Sequence, residues 1–68
     1  VQLKNNLKMY RAREDINQQE MGKKVGVSRQ TISAIERGDY SPSVTLALEI
    51  ANFFEVAVEE IFYLVEEN

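Results

Sequence analysis

The sequence predicts an all-α fold, and three observations predict it. One proline (Pro42) and three glycines (Gly22, Gly26, Gly38) are the strong chain breakers in 68 residues. Strict apolar/polar alternation of the strand kind is hardly seen, and apolar residues recur instead at spacings of three and four, the period that gathers them on one side of a helix.

The first helix is expected over roughly Leu3 to Arg13, with Leu3, Leu7 and Tyr10 on one face and Lys4, Lys8 and Arg11 beside them. It stops at Glu14-Asp15. Asn17 is a good N-cap for a second helix from Gln18, Glu20 three residues on completes a capping-box pair, and Ile16 and Met21 sit where a hydrophobic staple would. That helix runs to about Val25, because Gly26 takes positive φ without steric cost and turns the chain. Ser28 caps a third helix extending to about Arg37, and Gly38 closes it. Asp39-Tyr40-Ser41-Pro42 reads as a loop and Ser43 as the next cap. The fourth helix, about Val44 to Phe54, is expected to bury Val44, Ala47, Leu48, Ile50, Ala51 and Phe54 as a broad stripe. A short last helix takes in Val58 to Phe62, and residues 63–68 are a tail with no assigned structure.

The composition is that of a globular protein, 44% hydrophobic and 28% charged. Without cysteine there is no disulfide and no thiolate ligand; without histidine, the commonest metal ligand and general base is missing as well. No metal, cofactor or catalytic residue is expected. Glu59-Glu60 and Glu66-Glu67 are adjacent pairs on a helix or tail and read as solvated charge rather than as carboxylates converging on a cleft. No apolar run approaches the ~20 residues that span a bilayer, and a cytoplasmic location is expected by default.

Net charge is −3, which by itself argues against a nucleic-acid partner. Its distribution reverses that. Residues 1–38 hold all eight Lys and Arg against four acids, a balance of +4, while residues 39–68 hold seven acids and no base, a balance of −7. A basic half can face phosphate while the acidic half points away.

From Gln18 to Arg37, the residues fit two helices crossing at a tight turn. Met21, Val25, Val27, Ile32 and Ile35 are the apolar contacts, Gly22 is the small residue where the second element of the pair must come close, and Gly26 is the turn. At ~100° per residue, Arg29, Gln30, Ser33 and Arg37 fall within one ~100° sector of the later helix, Ala34 lies at its edge, and Ile32 and Ile35 face the core. The arginine fork suits guanine O6 and N7, and glutamine suits adenine N6 and N7, both at the end of a helix that enters the major groove end-first. Arg29 and Gln30 are therefore the expected base readers, with Ser33 one turn further in. Gln18, at a helix N-terminus with unpaired N–H groups, together with Ser28 and Arg37, is expected on phosphate. Lys4, Lys8, Arg13, Lys23 and Lys24 are read as diffuse attraction.

The run Val27-Ser28-Arg29-Gln30-Thr31-Ile32-Ser33, followed by Ile35-Glu36 and Gly38, resembles the DNA-binding domain shared by lambdoid phage repressors, Cro proteins and small regulators of the Cro/CI type. The resemblance covers residues 7–61 and implies a five-helix, lambda-repressor-like DNA-binding domain, acting as a homodimer and repressor on double-stranded DNA with a dyad-symmetric operator. It further implies that Gln18 holds both a phosphate and a recognition-helix side chain, and that Arg11 and Glu36 form a structural ion pair. Asp15 and Glu55 depart from the family pattern by standing where glycine is common, and Ala57 lacks the usual capping hydroxyl. Phe62, Tyr63, Leu64 and Val65, within the tail of residues 62–68, exceed what a small core can bury and are the expected dimer contact. A protein partner at the acidic half, as for an antitoxin, is the competing expectation.

Overall fold

The computed structural model describes residues 1–67 and consists of β1 (Gln2–Asn5), α1 (Leu7–Arg13), α2 (Gln18–Val25), α3 (Arg29–Arg37), α4 (Val44–Phe54), α5 (Val58–Ile61) and β2 (Phe62–Val65). Five helices are thus joined by a two-stranded antiparallel ribbon, with Gln2 opposite Val65, Leu3 opposite Leu64, Lys4 opposite Tyr63 and Asn5 opposite Phe62. No helix among the described residues is long and apolar enough to cross a membrane.

The ribbon corrects the all-α expectation at both ends of the chain. Leu3 lies on a strand rather than on the first helix, and the segment after Ile61 is a strand rather than a helix end and loose tail. Two asparagines account for the change. The Asn5 side chain accepts from the Leu7 N–H at 3.1 Å and donates to the Ile35 carbonyl at 2.9 Å. The Asn6 N–H donates to the Ile61 carbonyl at 2.8 Å, and its side chain donates to the Glu60 carbonyl. Side chains that bond nearby backbone compete with helix, so α1 starts only at Leu7. The same bonds bring residues 62–65 alongside, and Phe-Tyr-Leu-Val suits a strand once a partner is present.

The core gathers Leu7, Tyr10, Met21, Val25, Ile32, Ile35, Leu46, Ile50, Ala51, Phe54, Ile61 and Phe62. On α4 the buried stripe is Leu46, Ile50, Ala51 and Phe54, with Ala47 partly covered, so the expected stripe is turned about its axis: Val44 is 77% and Leu48 48% exposed. The spacing 46, 50, 54 is the helical period; Val44, at the first position after the Ser43 cap, lies outside it. Phe54 packs against Tyr10 with ring centroids 5.5 Å apart, and Arg13 covers the Tyr10 ring while donating to the Phe54 carbonyl, which ties the end of α1 to the end of α4. Phe62, expected at a dimer contact, is instead buried, because it opposes Asn5 at the base of the ribbon against the core. Asn68, the last residue of the expected tail contact, lies outside the described residues.

Candidate nucleic-acid interface

The geometry of α2 and α3 is set by local chemistry. Asn17 accepts the Glu20 N–H at 2.8 Å while Glu20 takes the Asn17 N–H at 2.9 Å, a reciprocal cap that defines where α2 begins. Gly26 is left-handed (φ 79) and ends it. Ser28 then accepts the Thr31 N–H at 3.1 Å and caps α3, with the two hydroxyls 2.9 Å apart. Gly22 decides how closely these elements approach. A Cβ there would stand 2.5 Å from the Val27 carbonyl oxygen and 3.2 Å from the Ser28 carbonyl carbon, so the close neighbour is the backbone of the two residues that precede α3.

On the outward side of α3, Arg29 and Gln30 are exposed on the first turn, Ser33 and Ala34 are half-buried on the next, and Arg37 is exposed on the last. Arg37 donates to Ser33 Oγ through Nη1 and to Asp39 Oδ2 through Nε, the latter at 2.9 Å. Gln19, Lys23, Val27, Ser28, Arg29 and Gln30 line a shallow groove at the junction of α2 and α3. Lys23, expected as diffuse attraction, shares this groove with Gln19, to which the sequence assigns no role, although their spacing of four puts them on one face of α2 beside the turn. Asp39 was read only as part of a loop.

Behind this face lies an ionic cluster. Arg11 donates through Nε to Glu36 Oε2 at 2.6 Å and through Nη2 to Oε1 at 3.0 Å, and through Nη1 to the Ile16 carbonyl. Gln18 Nε2 donates to Glu36 Oε1 at 3.1 Å, so the first residue of α2 is engaged with the last turn of α3. The Arg11 and Glu36 side chains are 14% and 8% exposed. Burial pushes the Glu36 carboxyl up, but hydrogen bonds from Arg11 and Gln18 and the positive charges of Arg11 and Lys8 outweigh it and hold Glu36 below the ordinary glutamate range. The Arg11 guanidinium is raised, first by its hydrogen bond to Glu36. An acid on α3 is in this way neutralised from inside, and the outer face carries Arg29 and Arg37 with Lys23 and Lys24 at the end of α2.

Of the acidic half, Asp39 meets Arg37 at the end of α3, while Glu49 on α4, Glu59 and Glu60 on α5, Glu55 after α4, and Glu66 and Glu67 after β2 are exposed. Tyr63, Leu64 and Val65 of the ribbon are exposed as well, Leu64 to 67%.

The family model described as helix-turn-helix matches residues 7–61. Over 60 residues the chain is 57% identical to an uncharacterized HTH-type transcriptional regulator of Methanocaldococcus jannaschii, covering 88% of this chain and 91% of that protein. It is 50% identical to a second such regulator, from Bacillus subtilis, over 97% of this chain and all of that one (100%). Among solved structures, the restriction-modification controller protein C.AhdI of Aeromonas hydrophila has a similar fold, with a TM-score of 0.72 at 22% identity over 79% of this chain and 78% of that one.

Proposed function

We propose, from the premise that this chain belongs to the helix-turn-helix family matched over residues 7–61, that it is a sequence-specific DNA-binding transcriptional regulator whose α3 lies in the major groove. The observation that carries the reading is the pair Arg29 and Gln30, exposed side by side on the Ser28-capped first turn of a helix whose other face is locked into the core by Ile32 and Ile35. A bidentate donor fork and a donor–acceptor amide at the leading end of a rigid helix are what base-edge recognition requires. Ser33 reaches a base from the next turn. Ser28 and Gln18, at the N-termini of α3 and α2, hold phosphates that flank the groove, and Arg37 adds positive charge at the far end. Arg11 and Glu36 form the ion pair that keeps α3 at its angle to α1 and α2.

The regulator acts as a homodimer joined through Tyr63, Leu64 and Val65, whose exposure on the ribbon supports a self-association surface; Tyr63 lines a groove with Arg37 and Asp39, which puts this surface beside the end of α3. Two recognition helices then sit about one DNA turn apart, ~34 Å, on a dyad-symmetric operator. Occupying the groove excludes other proteins from those base pairs, which supports repression.

Selection of bound sites from random DNA tests this. A dyad-symmetric motif should emerge, with Arg29→Ala and Gln30→Ala each degrading it at different base pairs and each weakening binding by about 1–3 kcal/mol. Binding indifferent to sequence, governed by salt alone, overturns the reading. Sedimentation of a monomer at high micromolar concentration, with and without DNA, overturns the dimer.

A further inference from the structure

Asp39 sits beside the reading face, where a carboxylate is electrostatically adverse to a polyanion. The other acid near this face, Glu36, is covered by Arg11 and Gln18, but the Asp39 side chain is 65% exposed. Its place is built by the fold. Gly38, left-handed at φ 82, turns the chain back, and the Asp39 N–H donates to the Ala34 carbonyl at 2.9 Å, so its backbone is fastened to the helix it follows. From there its carboxylate takes Nε of Arg37, while Nη1 of the same guanidinium reaches back one turn to Ser33 Oγ.

We propose that Asp39 is a specificity-determining positioning residue: it holds the Arg37 guanidinium along α3 above Ser33, so that Arg37 addresses a base-pair edge rather than a backbone phosphate. This rests on the DNA-reading function proposed above and changes the part Arg37 plays in it. A guanidinium engages an anion best through two parallel N–H bonds. With Nε committed to Asp39 and one N–H of Nη1 to Ser33, the donors left are the second N–H of Nη1 and those of Nη2, in an orientation fixed from two sides. Side chains on a helix lean toward its N-terminus, which here is toward the groove interior. A fixed end-on fork suits the paired acceptors of guanine. The carboxylate has a second effect. Non-specific binding comes from phosphate contacts, and a cation already neutralised contributes little to it. A specific complex keeps the Asp39–Arg37 pair intact and loses less.

The test compares the wild-type chain with Asp39→Asn, which keeps shape and removes charge, on a duplex carrying the selected motif and on a random-sequence duplex, each across a salt series. On the random duplex the variant should bind several-fold tighter, with the slope of log affinity against log salt steeper by about 0.9, one more phosphate engaged. The motif duplex should gain less, so discrimination falls by up to roughly tenfold. Sites selected by the variant should lose information at the base pair that Arg37→Ala also degrades, and in an Arg37→Ala background Asp39→Asn should leave discrimination unchanged. Equal gains on both duplexes with the motif intact would make Asp39 a plain repulsive charge and Arg37 a phosphate ligand, overturning the proposal. A loss of discrimination that persists without Arg37 also overturns it. A wild-type chain with no sequence preference defeats the underlying function instead, and is seen before any variant is made.

Discussion

The junction of α2 with α3 and the ribbon that joins the chain ends both hold helices in register, but by opposite kinds of contact. At the junction the caps and the turn are local, Asn17 with Glu20, Ser28 with Thr31, Gly26 as the bend and Gly22 against Val27, and Gln18 to Glu36 is the hydrogen bond that reaches across. At the ribbon the restraints are distant apart from Asn5 with Leu7: Asn5 with Ile35, Asn6 with Glu60 and Ile61, and Gln2 through Asn5 with residues 62–65. The first is made of small residues and caps that leave no freedom in the angle of α3. The second is made of peptide bonds paired across the length of the chain. In the function proposed above α3 benefits from the first, since misplacement of its leading turn would move Arg29 and Gln30 together.

The sharpest way to break the comparison is at Gly22. Gly22→Ala puts a methyl 2.5 Å from a backbone oxygen that cannot rotate away, so α3 must shift or the pair must open. The expected loss is about 3 kcal/mol or more, a large share of what so small a domain has. Urea denaturation measures it, and a loss under about 1 kcal/mol, within the range of ordinary surface substitutions and small repacking, would mean that the junction is looser than its geometry.

Next in size is the Arg11–Glu36 pair, which belongs to neither region because it links α1 to the end of α3. Arg11→Ala strands a mostly buried carboxylate with Gln18 alone and should cost about 2–3 kcal/mol, lowering the melting temperature by roughly 10–20 °C. Site preference should change less than stability does. The pH dependence follows from the lowered Glu36. A depressed carboxyl contributes stability that is complete above its unfolded value, ~4.3, and is lost as pH falls through the lower folded value. The gap between wild type and Arg11→Ala should therefore be flat at neutral pH and close below about pH 4. A gap that persists unchanged to pH 3 would place the stabilisation in packing of the arginine stem rather than in charge.

The same contrast explains what was legible in the sequence. Caps and left-handed turns are written in three or four consecutive residues, so the ends of α2 and α3 and the residues on the outer face of α3 could be read directly. The ribbon could not. Leu3, Leu7 and Tyr10 carry a helical spacing that continues smoothly past Asn5, and only a partner 60 residues away makes residues 2–5 a strand. Strand pairing of this kind leaves no local mark. Leu48 misled for a related reason: an apolar helix with few polar interruptions does not announce which of its sides meets the core. At the site, Asp39 escaped notice because its role depends on the turn at Gly38 returning it to Arg37.

Helix ends offer the finest version of the comparison, since four of them share one hydrogen-bond pattern with different residues at the left-handed position. Ile16 N–H to the Arg11 carbonyl, Val27 N–H to Gly22, Asp39 N–H to Ala34 and Val56 N–H to Ala51 close α1, α2, α3 and α4 alike. The left-handed residue is glycine after α2 and α3, Gly26 and Gly38, but Asp15 after α1 and Glu55 after α4, at φ 56 and 58. A Cβ there is unfavourable by roughly 1–2 kcal/mol, less for aspartate, whose short side chain tolerates the conformation, than for glutamate. Glycine at position 55 relieves that strain but frees the unfolded chain, so Glu55→Gly should stabilise by a net amount of about 0.5–1 kcal/mol, and Asp15→Gly by less. Both effects are readable as shifts in denaturation midpoint. A destabilising Glu55→Gly would show that the glutamate contributes something at the end of α4 that outweighs its backbone strain. In contrast, Gly38→Ala should destabilise, because it introduces at the end of the reading helix the strain that the acidic half of the molecule already tolerates.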